Sequence, residues 1–313
     1  MKILITDEVA KEAMDLLKEK HEVVFKELRG EELEKEIGEY DALMVRSATK
    51  VTANIIKAGK KLKVIGRAGI GVDNIDVEEA SKHGIYVVNS PGGSTRSVAE
   101  LSVALMFALA RKITKADESM KRGEWAKKKL KGIELQGKVL GLIGSGRIAR
   151  EVAKIASCLG MSILVYSPHC TPEKAKSMNA ELKSMEEIFS TADFISLHVP
   201  LTEETRHMVN EALLRKMKKT AFLVNVARGG VVDEEALYNV LKEGAIAGAA
   251  VDVFEHEPYQ GKLAELDNII LTPHIGASTK EGQIRAGVIC AEQILKVLDG
   301  KEPDYWVNKD MMK

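Results

Sequence analysis

The chain has 313 residues with 46 basic and 46 acidic side chains, and 45% of its residues are hydrophobic. That length suits two domains, since one domain usually runs about 100–200 residues. A zero net charge speaks against binding nucleic acid or a membrane surface through an overall field. The lack of an unbroken apolar run of about 18 residues speaks against a membrane span.

Taken in order, the chain alternates strand-like and helix-like runs. Lys2–Ile5 predicts a strand, and Asp7–Glu19 a helix with Val9, Ala13, Leu16 and Leu17 near helical spacing. Glu22–Phe25 predicts a strand, Glu31–Ile37 a helix, and Ala42–Val45 a strand that runs into Arg46. A helix over Thr52–Ala58, capped by Thr52, follows, then short buried strands at Val64–Ile65 and Tyr86–Val88. The loop Asn89-Ser-Pro-Gly-Gly93 leads into one long helix from Ser97 to about Lys121 and a basic segment, Trp125-Ala-Lys-Lys-Lys-Leu130. A second series then opens at Lys138, with strands at Ile163–Tyr166, Phe194–Val199, Ala221–Val226, Ala249–Val253 and Asn268–Leu271, and a closing helix at about Ser278–Asp299. Such alternation predicts an α/β fold with parallel sheets.

Gly144-x-Gly146-x-x-Ala149 sits between a strand and a helix, and a further strand follows. That context turns a weak glycine pattern into a dinucleotide fingerprint. Gly144 allows the tight turn, Gly146 lets backbone approach a pyrophosphate, and Ala149 lets helix and strand pack closely. The helix at Ile148–Leu159 aims its amides and positive dipole end at the phosphates. The second strand usually ends in an acid that holds the adenine ribose; here that place is Ser167. NAD is the expected cofactor, with NADP left open because a serine does not repel a 2′-phosphate.

Three later segments each end a strand: Asn225-Val-Ala-Arg228-Gly-Gly, Asp252-Val-Phe-Glu-His-Glu257-Pro and Thr272-Pro-His274-Ile-Gly-Ala-Ser. Ligands in such sheets bind beyond the carboxyl ends of the strands. An arginine can hold a carboxylate in a fork, a histidine can take a hydroxyl proton near neutral pH, and a glutamate can orient the imidazole. Those three roles suit oxidation of a 2-hydroxy acid. The cysteines, Cys158, Cys170 and Cys290, form no CxxC pair and have no His at metal spacing, so no metal is expected. Unpaired thiols and an N-terminus that begins directly with a strand predict a cytoplasmic protein.

Over essentially its whole length the chain resembles the D-isomer-specific 2-hydroxyacid dehydrogenase family. The resemblance runs through Arg46-Ser-Ala-Thr-Lys-Val-Thr, Gly66-Arg67-Ala-Gly-Ile-Gly-Val-Asp-Asn74, Asn89-Ser-Pro, Val98-Ala-Glu100, the glycine turn and the three strand-end segments. It implies a catalytic set of Arg228, Glu257 and His274, with Asp252 on the nicotinamide carboxamide and the Ala68–Gly71 backbone on the substrate carboxylate. Expected cofactor contacts are Gly144, Gly146, Arg147, Ile148, Ser167, Val199, Pro200, Val226, Ala227, Arg228, Asp252, His274, Gly276 and Ala277. Expected substrate contacts are Arg46, Arg67, Gly69, Ile70, Arg228 and His274.

The resemblance also implies two doubly wound parallel-sheet domains. A Rossmann-type cofactor domain over 93–282 would be inserted in a flavodoxin-like substrate domain made of 1–92 and 283–313, with substrate in the cleft. The helix from Ser97 implies a homodimer. Arg46, Arg67 and Lys127–Lys129 suggest a phosphorylated small-molecule substrate, 3-phosphoglycerate, with a glyoxylate or hydroxypyruvate reductase as the close alternative. A non-catalytic, NAD-sensing interaction protein is the alternative from another class. The end at Lys313 predicts no serine feedback through a C-terminal extension.

Overall fold

Buried apolar runs too short for helices line up side by side, and in the computed structural model, which describes residues 1–312, every pairing between named strands is parallel. Two units emerge, Met1–Thr95 with the segment from Ala277 onward, and Arg96–Gly276.

In the first unit the strands are β1 (Lys2–Ile5), β2 (Glu22–Phe25), β3 (Ala42–Val45), β4 (Val64–Arg67) and β5 (Tyr86–Val88). They pair in the order β2-β1-β3-β4-β5, a doubly wound arrangement. Both faces of the sheet are covered. Leu4, Leu43, Ile65 and Val87 pack into one apolar cluster, and Ile3, Ile5, Met44 and Val64 into another. The helix Lys280–Leu298 completes the second face. A Cβ on Gly66 would lie 2.6 Å from Ile294 and 2.8 Å from the Cys290 sulfur, so a bare glycine lets this helix meet β4. The helix packs as one piece, and the seam therefore precedes it at Gly276–Ala277, whereas the sequence predicts a seam at 282–283.

In the second unit the strands are β6 (Val139–Ile143), β7 (Ser162–Tyr166), β8 (Ala180–Leu182), β9 (Phe194–Leu197), β10 (Phe222–Asn225), β11 (Gly248–Val251) and β12 (Ile269–Leu271). Their order is β12-β11-β10-β9-β6-β7-β8. The chain winds outward from β6 to β8, then returns beside β6 at β9 and winds the other way. The junction of β6 and β9 is the switch point at which such sheets open a crevice for ligands. Two clusters again cover the sheet, one around Phe189, Ile195 and Leu223, the other around Leu140, Leu142 and Phe194.

Local differences from the sequence reading have physical causes. The long helix expected from Ser97 breaks into Thr95–Arg111 and Ile113–Lys121, because Lys112 takes a left-handed conformation, φ +52°. Thr52 does stand at an N-cap, but its side chain makes no capping bond. Strand β8 and the helix Met185–Thr191, started by a Ser184–Glu187 capping box, were absent from the expected elements. Among the described residues, no helix is long and apolar enough to cross a membrane.

The open edge of β5 is closed by the C-terminal segment. The Val307 amide donates to the Val87 carbonyl at 2.8 Å. The buried Asn308 side chain accepts from the Val87 amide at 2.9 Å and donates to the Ile85 carbonyl at 2.9 Å. A side-chain amide thus supplies both a donor and an acceptor to a strand edge. Asn308→Ala strands both backbone groups, and should lower unfolding stability by about 2–4 kcal/mol. Urea denaturation reads this, and an unchanged midpoint would show that the edge does not depend on Asn308.

Candidate active site

The glycine turn follows β6 directly. Gly144 has φ +114°, and a Cβ there would lie 2.4 Å from the His198 carbonyl oxygen, so no side chain is tolerated. Its amide donates to the Tyr166 carbonyl at 2.7 Å, which binds the turn to the end of β7 and sets Ser167 beside it. Gly146 is the N-cap of the helix Arg147–Cys158, with no side-chain capping bond. A Cβ on Gly146 would meet nothing within 4 Å, so the space before the helix is open. Ala149 is fully buried against the sheet. Uncapped helix amides facing open space suit an anionic pyrophosphate, and the residues present fit a dinucleotide. Arg147 is exposed and Ile148 half-buried in the first turn.

The three catalytic candidates follow the neighbouring strands β10, β11 and β12. Asn225, at the end of β10 and 1% exposed, shapes the Arg228 turn: its oxygen accepts the Ala227 amide at 3.1 Å and its nitrogen donates to the Arg228 carbonyl at 3.0 Å. The half-buried Arg228 guanidinium donates to the Ala227 carbonyl at 2.7 Å. Val226 and Ala227 are buried beneath it. At Gly229 a Cβ would lie 1.9 Å from the Phe254 carbonyl carbon. The Arg228 turn therefore rests on the backbone that leads into Glu257.

Beyond β11, Asp252 is 1% exposed. Its carboxylate accepts the Thr272 hydroxyl at 2.6 Å and the amides of Ile275 and Gly276 at 2.9 Å each. Its carbonyl accepts the His274 amide at 2.8 Å. These bonds hold His274 in the left-handed region, φ +52°, a conformation that costs roughly 1–2 kcal/mol for a residue with a Cβ. The ring then meets Glu257, whose Oε2 lies 2.8 Å and Oε1 3.1 Å from Nδ1. Oε1 also accepts the Phe254 amide at 3.1 Å, which fixes the carboxylate. With Nδ1 held by a carboxylate, Nε2 is the ring atom left to exchange a proton.

His198, just past β9, was not among the sequence candidates. Its ring is enclosed: Nε2 lies 2.9 Å from the Ser196 hydroxyl, and the described residues offer Nδ1 no partner. Burial pushes its pKa down to about 3. Val199 and Pro200 follow it toward the surface, and Gly276 is buried while Ala277 is exposed.

In the first unit, the loop after β3 is organised by the buried Asp7. This carboxylate accepts the Arg46 amide at 2.5 Å, the Thr49 hydroxyl at 2.9 Å and the Arg29 guanidinium at 2.7 Å. After β4, the Asn89 side chain donates to the Ile70 carbonyl at 2.6 Å, and the Ser90 amide to the Gly69 carbonyl at 2.9 Å. A Cβ on Gly69 would fall 1.4 Å from an Arg67 guanidinium nitrogen, so Arg67 folds over a bare backbone. Lys127–Lys129 form an exposed 3-10 turn in the second unit. Among the described residues, no group of three or more His, Cys, Asp or Glu is arranged to hold a metal.

A family model described as the NAD-binding domain of D-isomer specific 2-hydroxyacid dehydrogenases matches residues 103–276. A D-3-phosphoglycerate dehydrogenase of Methanocaldococcus jannaschii is 54% identical over 311 residues, 98% of this chain and 59% of that protein. A hydroxypyruvate reductase of Thermotoga maritima is 52% identical over 303 residues, 95% of this chain and 98% of that protein. The chain thus spans about three fifths of the first relative and nearly all of the second. Among solved structures, the TT0316 protein of Thermus thermophilus superposes with a TM-score of 0.90 at 35% identity, covering 98% of this chain and 100% of that one.

Two outcomes follow from the geometry. Gly229→Ala should push the Arg228 turn off its seat and lower kcat/KM about 100-fold, the scale of a 1 Å misplacement; steady-state kinetics at unchanged NADH affinity would check this. Folding disfavours protonated His198, so its contribution to stability is complete above about pH 6.5 and declines as pH falls toward 3. Its ring resonances should therefore stay those of neutral imidazole between about pH 5 and 8; a titration midpoint within that range would contradict the enclosed site.

Proposed function

The chain belongs to the D-isomer-specific 2-hydroxyacid dehydrogenase family, and from that premise we propose that it is a nicotinamide-dependent dehydrogenase acting on 3-phosphoglycerate. The observation that carries the reading is the His274–Glu257 pair at 2.8 Å, with the Arg228 turn seated against the same loop. Arg228 grips the substrate carboxylate in a bidentate fork. His274 takes the C2 hydroxyl proton on Nε2, while Glu257 orients the ring and stabilises the imidazolium that forms. The Gly144–Ala149 turn and the first amides of the helix Arg147–Cys158 would hold the dinucleotide, which when bound would supply the hydride-accepting group for C2. In the reverse direction His274 returns the proton to the oxygen of the 2-keto acid. The product of oxidation is 3-phosphohydroxypyruvate, on the route to serine.

Arg46 and Arg67, with the backbone of Gly69 and Ile70, are assigned to the substrate in this reading. Their loops are fixed by Asp7, Asn89 and Ser90, which suits groups that recognise a small anion. The relative named hydroxypyruvate reductase matches over 98% of its own length, and this favours unphosphorylated hydroxypyruvate as the second reading. NAD is the proposed cofactor with NADP also accepted, because the neutral Ser167 stands at the end of β7 where an acid would select NAD.

A homodimer is proposed as well. Phe107, Ile113 and Met120 expose apolar surface on the helices Thr95–Arg111 and Ile113–Lys121, beside a concavity lined by Arg111, Ala116 and Asp117. The three cysteines are free, in keeping with a reducing cytoplasmic setting.

The deciding assay compares NADH and NADPH oxidation with 3-phosphohydroxypyruvate, hydroxypyruvate and glyoxylate. A preference for the phosphorylated acid is expected, and equal or faster rates on the other two would move the reading to a general reductase. His274→Ala should lower kcat about 100- to 10,000-fold with cofactor binding retained. Ser167→Asp should shift preference toward NADH about 10- to 100-fold, the worth of one hydrogen bond to a charged group.

A further inference from the structure

His207 shares with His274 a left-handed backbone, φ +50°. A branched-off ring in that conformation costs roughly 1–3 kcal/mol and persists only where surroundings enforce it. At His207 the enforcement is visible. Its amide donates to the Gly230 carbonyl at 2.8 Å, and the Val209 amide donates to the Val231 carbonyl at 3.1 Å. The loop after β9 is thereby stitched to the residues that follow Arg228. The His207 ring meets a third loop, with Nε2 3.0 Å from Oε1 of Glu255.

Glu255 lies two residues before Glu257, on the segment that Gly229 touches. Its amide donates to Glu234 Oε1 at 2.6 Å, and its own Oε1 accepts the Glu234 amide at 3.4 Å. Glu234 is the first residue of the helix Glu234–Lys242, so the Glu255 carboxylate also sits at the positive end of that helix. Three loops meet in this cluster. One carries His207, one carries Arg228 and leads into Glu234, and one carries Glu255 and Glu257. Only the last two hold catalytic candidates, yet the first bonds to both.

We infer that His207, Glu255 and Glu234 are positioning residues that fix the register of Glu257, and through it His274, against Arg228. The inference rests on the dehydrogenase reading and deepens it. None of the three touches the proton-exchanging pair directly: Glu257 receives the Phe254 amide, and Phe254 and Glu255 form the strip on which the Gly229 backbone lies. A slip of that strip displaces the carboxylate that holds the imidazole. Supporting this, burial raises the Glu234 carboxyl from its ordinary value against the hydrogen bond from the Glu255 amide, with the Glu255 charge adding to the rise and His256 and His207 opposing it. Glu234 is half-buried and Glu255 exposed, and the two are joined by a reciprocal pair of backbone-to-carboxylate contacts that ties the two loops in one register.

The test uses the full chain. His207→Ala, His207→Gln and Glu255→Gln are compared with the unsubstituted protein in reduction of 3-phosphohydroxypyruvate and hydroxypyruvate. Each is run with NADH and with NADH deuterated at the transferred position, and NADH affinity is measured separately by fluorescence. His207→Ala and Glu255→Gln should lower kcat about tenfold, with KM and NADH affinity within about twofold, because loss of near-attack geometry slows the chemical step. The deuterium isotope effect on kcat should rise. His207→Gln, whose amide nitrogen can still donate to Glu255, should recover most of the rate.

Unchanged kcat and isotope effect in His207→Ala and Glu255→Gln would overturn the inference while leaving the dehydrogenase reading intact. So would a fall in rate that tracks lost folded protein equally in all three variants, since a merely structural role predicts that. An unsubstituted protein that binds NADH but reduces no 2-keto acid would sink the dehydrogenase reading, and this inference with it.

Discussion

A carboxylate that is almost wholly removed from water must find donors, and Asp252 finds them in the loop beyond β12. Its 1% exposure makes those bonds obligatory rather than decorative, since an unpaired buried charge costs several kcal/mol. Three donors from Thr272, Ile275 and Gly276 converge on it, and both ends of the short segment that carries His274 are tied to one carboxylate. His274 is pressed into a left-handed conformation as a result, and its ring is delivered to Glu257. The His274–Glu257 contact is thus a consequence of how a neighbouring acid is buried. The first unit uses the same device, where the buried Asp7 gathers the Arg46 amide and Thr49 and so shapes the loop after β3.

Absent side chains do as much as present ones. Gly229 lets two strand-end loops touch backbone to backbone, and Gly144 lets the turn after β6 lie against the His198 carbonyl. Gly146 has a different reason: nothing stands near its missing Cβ, so it keeps space open before the helix amides. Contact and vacancy are both ways in which a glycine can be irreplaceable, and a sequence pattern does not distinguish them. At Gly69 the bare backbone makes room for the Arg67 guanidinium, so that two candidate substrate residues share one constraint.

Much of this was legible in advance. Alternating apolar runs and amphipathic stretches predict an α/β chain with parallel sheets, because strands buried on both faces must be apolar throughout. The glycine fingerprint and the Arg, Glu and His segments stand at strand ends in the sequence and in the fold alike. Less legible were short elements with weak periodicity, such as β8, and the break at Lys112, where a single residue's backbone conformation divides one helix into two. Asn225 and His198 gave only faint signals, a polar residue placed where a buried strand ends.

What the sequence by itself determined is therefore the architecture and the chemical inventory: repeating local patterns specify strands and helices, and rare residue types mark the chemistry. Only the tertiary structure decided which groups meet. That Asp252 holds the His274 loop, that Gly229 seats the Arg228 turn on Phe254, and that His207 reaches Glu255 across 48 residues of chain are long-range facts. They depend on the order in which β9 to β12 pair, and no local pattern encodes that order, because burial of apolar faces is non-directional until the packed sheet fixes which strand ends stand side by side.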